Sequence, residues 1–248
     1  FPVSHDQVIK SKKQAPGKGM QKAPEIQMTA AQRSFRGQRQ ERTKALLERE
    51  IELTERLFQR TPQSDPRRPD ILFRLAEDYV EMQQGATAAA RGLDEPIFQA
   101  QKAKNAAKAQ QMQRQQQEHE QRVTRYRQEA IRQYARLVQQ HPNYASMDQV
   151  LFYLAFALEE LQQFDRAREV YYRLIKAYPT SRFIPNALLS FAEYYFAGGD
   201  MNSARQFYDR VLSFGIENNQ VYGYALYKQA WCLFNLQDFR GSLNKFVE

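Results

Sequence analysis

The chain has 248 residues, a formal charge of +8, 42% hydrophobic and 12% aromatic residues. Ten Gly and ten Pro are few for that length and disfavour an all-β fold with many tight turns, and no apolar run approaches the roughly 18 residues of a membrane-crossing helix. The single cysteine, Cys232, excludes an internal disulfide framework, and its setting in AWCLF is that of a buried structural thiol.

The N-terminal stretch, residues 1–40, is polar, contains KSKKQAPGKGMQKAP and shows no sustained periodicity, so it is expected to be disordered or extended. It is also where much of the charge lies. Residues 1–62 hold 13 basic and 7 acidic groups, residues 63–148 hold 13 and 11, and residues 149–248 hold 10 and 10. The chain opens at Phe1 with no visible signal peptide, so any targeting segment is expected to lie outside it.

From about Glu41 the pattern becomes helical. ALLEREIELTERLF sets Leu46, Leu47, Ile51, Leu53, Leu57 and Phe58 near helical spacing, and Pro62 ends that segment. ILFRLAEDYVEM is a second helix, with small residue Ala76 and aromatic Tyr79. Three later segments align with one another: YLAFALEELQQFDRAREVYYRLIKAYP, FAEYYFAGGDMNSARQFYDRVL and QAWCLFNLQDFRGSLNKF. Each has a small residue on a first helix (Ala155, Ala192, Ala230) and a second one twelve places later (Ala167, Ala204, Ser242). An aromatic follows four places on (Tyr171, Tyr208, Phe246). Stepping back 37 from Ala167 reaches Ala130, with Tyr134 four later. Helices that cross closely need small side chains at the contact, since larger ones hold the backbones apart. The pattern is thus one of stacked helix pairs.

The helix that carries Ala76 lacks its partner at the usual distance, because the matching small residue, Ala130, lies 54 positions on. An insertion at about residues 85–126 accounts for the difference. It contains QQMQRQQQEHEQR, and from Ile97 to His141 there is neither Gly nor Pro. Good helix formers dominate. The expectation is one helix of about 45 residues, roughly 68 Å long, capped by Asp94 with Pro96 in its first turn. Gly85–Gly92 would be the loop that reaches its tip. Its outer part would overshoot the body as a spur, the alternative being an insertion that becomes helical only near Val123.

The recurring small residues, aromatics and turn prolines make residues 41–248 resemble the tetratricopeptide repeat family. The resemblance implies an all-α fold, a right-handed α-solenoid of helix–turn–helix repeats with a spur in one repeat. The last repeat is expected to be truncated, with the native chain continuing past Glu248. Loops such as TPQSDPRRPDILF and YPTSRFIPNALL resemble those of Gram-negative, delta-proteobacterial-style envelope scaffolds. In this family the first helix of each repeat lines the concave face. That register implies a partner-binding groove of Phe73, Phe152, Phe156, Leu189, Phe196, Tyr227, Trp231 and Phe234, with Glu77, Glu159 and Glu193 beside them. It also makes Ala76, Ala130, Ala155, Ala167, Ala192, Ala204 and Ala230 the repeat-packing residues.

Catalysis finds no support in the sequence. His5, His119 and His141 have no metal-ligand spacing to each other or to Cys232, and there is no Gly-rich phosphate loop or nucleophile elbow. No cofactor, metal or small-molecule substrate is expected. The expected function is a non-enzymatic scaffold that assembles a multiprotein complex, in outer-membrane biogenesis, secretion or gliding motility. Its setting would be the periplasm or cell envelope, with the cytoplasm as the alternative, and it would meet the membrane only indirectly. The alternative function is nucleic-acid binding through Lys10, Lys12, Lys13, Lys18 and Lys22 and the Gln/Arg-rich helix.

Overall fold

The structure is a computed structural model that describes the backbone of residues 30–217 and 219–248 and the side chains of residues 42–217 and 219–248. Residues 43–248 form one compact unit, and the architecture below is that unit's. The basic lysines at positions 10–22 lie outside the described residues. The described part of the N-terminal unit, residues 30–42, is helical backbone, so the first helix starts at Ala30 and not near Glu41.

Ten helices occur among the described residues, and no strand. They are α1 (Ala30–Arg60), α2 (Arg68–Arg91), α3 (Asp94–Lys102), α4 (Ala106–Gln140), α5 (Met147–Glu160), α6 (Phe164–Ala177), α7 (Ile184–Ala197), α8 (Met201–Leu212), α9 (Tyr222–Asn235) and α10 (Phe239–Val247). The order is that of an all-α solenoid: α2 pairs with α4, α5 with α6, α7 with α8 and α9 with α10, and each pair packs on the next. Ala76, Ala130, Ala155, Ala167, Ala192, Ala204 and Ala230 all lie within the packing at no more than 1% exposure. Tyr134, Tyr171 and Tyr208 are the largest fully enclosed side chains beside them. One continuous core runs from Phe58 through Leu72, Leu137, Leu151, Leu174 and Leu188 to Val211 and Cys232. Each such side chain contributes roughly 1.5–3 kcal/mol on burial.

The turn inside each helix pair has one recurrent geometry. Helix α5 ends with Gln162 in the left-handed region (φ 58°). The Gln162 N–H donates to Glu159 O at 2.7 Å, and the Gln163 N–H donates to Leu158 O at 2.9 Å. This doubly bonded C-terminal cap, the Schellman motif, recurs at Gly199 (φ 81°) and Gln237 (φ 65°). Their following N–H groups, on Asp200 and Asp238, reach Tyr195 O at 3.0 Å and Leu233 O at 2.9 Å. The carboxylates of Asp200 and Asp238 then cap the next helices, accepting from the Ser203 and Gly241 N–H groups. The loops between pairs share a second device. Asp65, Ser181 and Asn219 each accept, through the side chain, the N–H two residues on, at Arg67, Phe183 and Val221.

The insertion departs from the expected single helix. Gly85–Gly92 is not a loop: α2 runs through Gly85 to Arg91, because a Cβ-less residue amid Ala and Thr weakens a helix without breaking it. Asp94 does not cap α3. The residue before α3 is Leu93, with no side-chain cap, and Asp94 is the first helical residue. The long run then reverses at Ala103–Asn105, where Lys104 adopts φ 55° and the Asn105 N–H donates to Ala100 O at 3.0 Å. This is the same Schellman motif as in the repeats, with lysine in place of glycine. Asn105 caps α4 by accepting the Lys108 N–H at 3.1 Å. The spur is therefore a helical hairpin. One arm is the end of α2 followed by α3, and the other is the first half of α4. Ala86, Ala90, Ile97, Ala100 and Ala109 are buried, the small ones letting the two arms approach closely. Where α4 enters the body, the Arg127 Nη2 meets the Glu160 carboxylate at 2.8 Å and Tyr126 packs against the cluster of Leu47, Ile51, Leu75 and Met82. Residues 106–125 of α4 precede these contacts and span roughly 30 Å of helix.

Candidate functional site

The first helices of the four pairs, α2, α5, α7 and α9, carry the residues that the repeat register points to. Their environments divide them. Phe73 is half-buried, tilted against Tyr134 at 6.1 Å and Tyr144 at 6.0 Å. Phe152 is half-buried and stacked on Phe183 of the following loop, centroids 4.5 Å apart at 13°. Leu189 packs against the core from its edge. Phe196 makes an edge contact with Tyr208 at 6.5 Å, and the Lys228 Nζ sits 3.5 Å above its ring. These four are structural neighbours of the core, and over Phe73, Phe152 and Phe196 side chains of the next pair or of the loop before it close.

The other four are open. Phe156 is 50% exposed, Tyr227 50%, Trp231 38% and Phe234 47%. Tyr227, Trp231 and Phe234 form a chain of edge-to-face contacts, 6.3 Å for the first pair and 5.6 Å for the second. Phe246 and Phe239 of α10 extend it, at 5.8 Å from Trp231 and 5.4 Å from Phe234. Edge-to-face rings at these spacings add about 0.5–1.5 kcal/mol per pair beyond area burial, so the cluster is ordered while one side faces water. Cys232, between them in sequence, points the other way. It is fully buried, and burial pushes its thiol up to about 11, so it is not a reactive nucleophile at neutral pH.

The carboxylates at the same face are occupied within the solenoid. Glu159 accepts the Tyr171 hydroxyl at 3.1 Å and also the Ser190 hydroxyl of the next pair. Glu193 accepts the Tyr208 hydroxyl, and the Lys228 ammonium of the next pair lies 3.1 Å from it. Burial, reinforced by these carboxylates, pushes both tyrosines far above the ordinary phenol range. Each Glu thus joins the two helices of its own pair to the first helix of the next. The sequence reading misses this ladder. Its signal was the tyrosine four places after each second-helix alanine, a buried hydroxyl that needs an acceptor. Glu77 lies near Tyr134 and Tyr144 and contributes to raising both.

Among the described residues no group of three or more His, Cys, Asp or Glu side chains is placed to hold a metal. His141 closes α4 as its C-terminal cap, half-buried beside Pro69, Pro142, Asn143 and Tyr144. Its pKa is lowered by burial and by Arg68. It borders only a shallow hollow.

Residues 149–181, which comprise nearly all of α5 and α6 and the loop after them, match the sequence profile of the tetratricopeptide repeat. The chain contains a tetratricopeptide repeat. The matched repeat holds Ala155, Ala167, Tyr171 and the Gln162 turn, and the α7–α8 and α9–α10 pairs repeat its turn geometry. Among the solved structures similar to the chain are BtubC and PilW. BtubC from P. vanneervenii is 14% identical, over 83% of this chain and 87% of that one, with a TM-score of 0.45. PilW, a widely conserved type IV pilus biogenesis factor, is 16% identical, over 71% of this chain and 90% of that one, with a TM-score of 0.39. No curated protein sequence matches the chain.

Proposed function

We propose that this tetratricopeptide-repeat solenoid is a non-enzymatic scaffold that holds a partner protein segment against the exposed aromatics of its first helices. The observation that carries the reading is Phe156, 50% exposed on a helix pair that is followed by another, with Trp231 at the same register on α9. Ordered aromatics with one face in water are the residues around which protein interfaces concentrate their energy. Glu159, Glu193 and Lys228 are already paired within the solenoid, so the face offers mainly apolar contact. An amphipathic partner helix that presents apolar side chains at helical spacing fits it best. We place the protein in the bacterial cell envelope on the style of its inter-repeat loops. Among the described residues no helix is long and apolar enough to cross a membrane.

A photo-crosslinking side chain introduced at Trp231, with a second at the exposed second-helix position Glu169 as control, tests this in cells. The reading requires a discrete crosslinked protein from position 231 that is absent from position 169. It also requires that the purified partner bind Trp231→Ala at least about thirtyfold more weakly, the loss of a 2 kcal/mol anchor. A partner bound equally well by that variant overturns it. For the nucleic-acid alternative, the spur sets one exposed aromatic, Phe98, beside its lysines, fewer than the row of stacking platforms on single-strand binders.

A further inference from the structure

The spur hairpin sorts its charges along its length. Between Glu95 and Glu118 there are four basic residues, Lys102, Lys104, Lys108 and Arg114, and no acidic one. Lys102 ends α3, Lys104 is the left-handed residue of the turn itself, and Lys108 lies in the first turn of α4. All three are exposed. Phe98 lies one turn behind Lys102 on α3 and is 57% exposed, whereas its neighbour Ile97 is 8% exposed and packs between the arms. The acidic groups lie further back: Asp94 is held by the Gln116 amide at 2.6 Å, and Glu95 accepts from the Gln99 amide. The outermost part of the projection is thus a basic cap with one free aromatic ring and no fixed anion.

We infer that this tip docks on an anionic phospholipid surface. Shape decides against a folded protein partner. The end of a two-helix hairpin, each helix about 10–12 Å across, offers roughly 200 Å², well short of the about 800 Å² per partner of a stable protein interface. A lipid surface needs no shape complement. Its negative potential attracts each lysine independently, and its interfacial layer accepts a single Phe ring. Phe98 and Lys102 share one side of α3, so the hairpin approaches obliquely, α3 side down, with the long lysine side chains reaching the headgroups. Glu95, one turn further back on that side, limits how far the arm descends. Lys102, Lys104 and Lys108 are exposed on three successive pieces of backbone, the end of α3, the turn and the first turn of α4, and competition by inorganic phosphate separates this contact from a site for free phosphate. Each basic residue near an anionic surface contributes roughly fivefold in binding, so three give roughly a hundredfold. That makes the spur a reversible tether, not an anchor.

The test is co-sedimentation of the whole chain with phosphatidylcholine vesicles, with and without phosphatidylglycerol, across a salt series. The expected result is binding to the anionic vesicles only, weakening with salt and undisturbed by inorganic phosphate at matched ionic strength. Lys102→Gln, Lys104→Gln and Lys108→Gln together should reduce it roughly a hundredfold. The fold should be kept, because glutamine already occupies the position of Lys104 in two other turns, at Gln162 and Gln237. A chain with Lys10, Lys12, Lys13, Lys18 and Lys22 changed to Gln should retain most of the binding. Cys232 is buried, so an environment-sensitive dye on Gln99→Cys reports the tip directly, and its emission should shift to the blue on anionic vesicles. The inference is overturned by any of four results: no binding, equal binding to neutral vesicles, loss in the N-terminal variant but not in the tip variant, or tighter binding to nonspecific duplex at the same salt.

Discussion

Gln116 of α4 reaches across the spur to the junction of α2 and α3, where its side-chain amide donates to the Asp94 carboxylate at 2.6 Å and to the Ala90 carbonyl at 3.2 Å. One glutamine of this polar run thereby holds the place where the returning arm is interrupted. Changing Gln116 to Ala should loosen the hairpin by about 1 kcal/mol, the usual net worth of such a bond. Amide exchange of residues 90–118 should quicken several-fold with the melting temperature almost unchanged. Unchanged exchange there would mean that buried Ala90, Ile97 and Ala109 hold the arms unaided.

The hairpin closes on itself, so it should be removable as a unit. Replacing residues 86–122 by a short turn leaves Ala76 against Ala130, and Met82 and Tyr79 still near Tyr126. A folded helical protein with a melting temperature within a few degrees of the parent is expected, as judged by circular dichroism. Loss of cooperative unfolding would show that the spur supports the first helix pair.

Gln162 and Gln237 hold left-handed backbone that glycine adopts without a Cβ clash. Gln162→Gly and Gln237→Gly should each raise stability by about 0.5–1 kcal/mol, measured by denaturant unfolding. The corresponding change at Gly199, Gly199→Gln, should lower it by a similar amount.

Asp78 is completely buried in α2, its carboxylate 3.0 Å from the Arg74 Nε but without a well-aligned hydrogen bond, while Arg74 also holds Glu50 of α1 at 2.6 Å. Burial, partly offset by Arg74 and reinforced by Glu50, Glu81 and Glu77, pushes it up to about 6. The folded state then binds this proton more tightly than the unfolded chain does. Stability therefore rises as pH falls from above 6 towards the ordinary carboxylate range near 4, and is lost as pH rises through 6. The span is on the order of 2–3 kcal/mol. Asp78→Asn should remove that pH dependence and melt higher at pH 7 than the parent. A parent stability that is flat between pH 4 and 7 would contradict the assignment.

Phe152 and Phe156 are one helical turn apart with opposite surroundings. Phe152→Ala should cost a few kcal/mol of folding stability, towards the lower end of the range for core Phe, because it leaves Phe183 unstacked. Phe156→Ala should change the melting temperature by only a degree or two while weakening partner binding. If both variants melt alike, Phe156 is packed in solution and belongs to the core.

The sequence by itself determined the helix pairs, their register and the solenoid they build. A close helix crossing demands a small side chain at a set place on each helix, and Ala155 with Ala167 or Ala192 with Ala204 writes that demand locally. It also located the insertion, from the missing partner of Ala76. Other features were decided only by tertiary structure. Composition between Ile97 and His141 favours helix throughout, and the reversal at Lys104 follows from the two arms packing, with only Asn105 as a local sign. Which aromatics stay open was equally beyond a periodic pattern. Phe152 is covered by Phe183 and Phe196 by Lys228, residues more than thirty positions away, whereas Trp231 meets only rings that are themselves exposed. Helical spacing fixes the side of a helix on which a residue stands; whether that side meets protein or water depends on what the next helix pair brings to it.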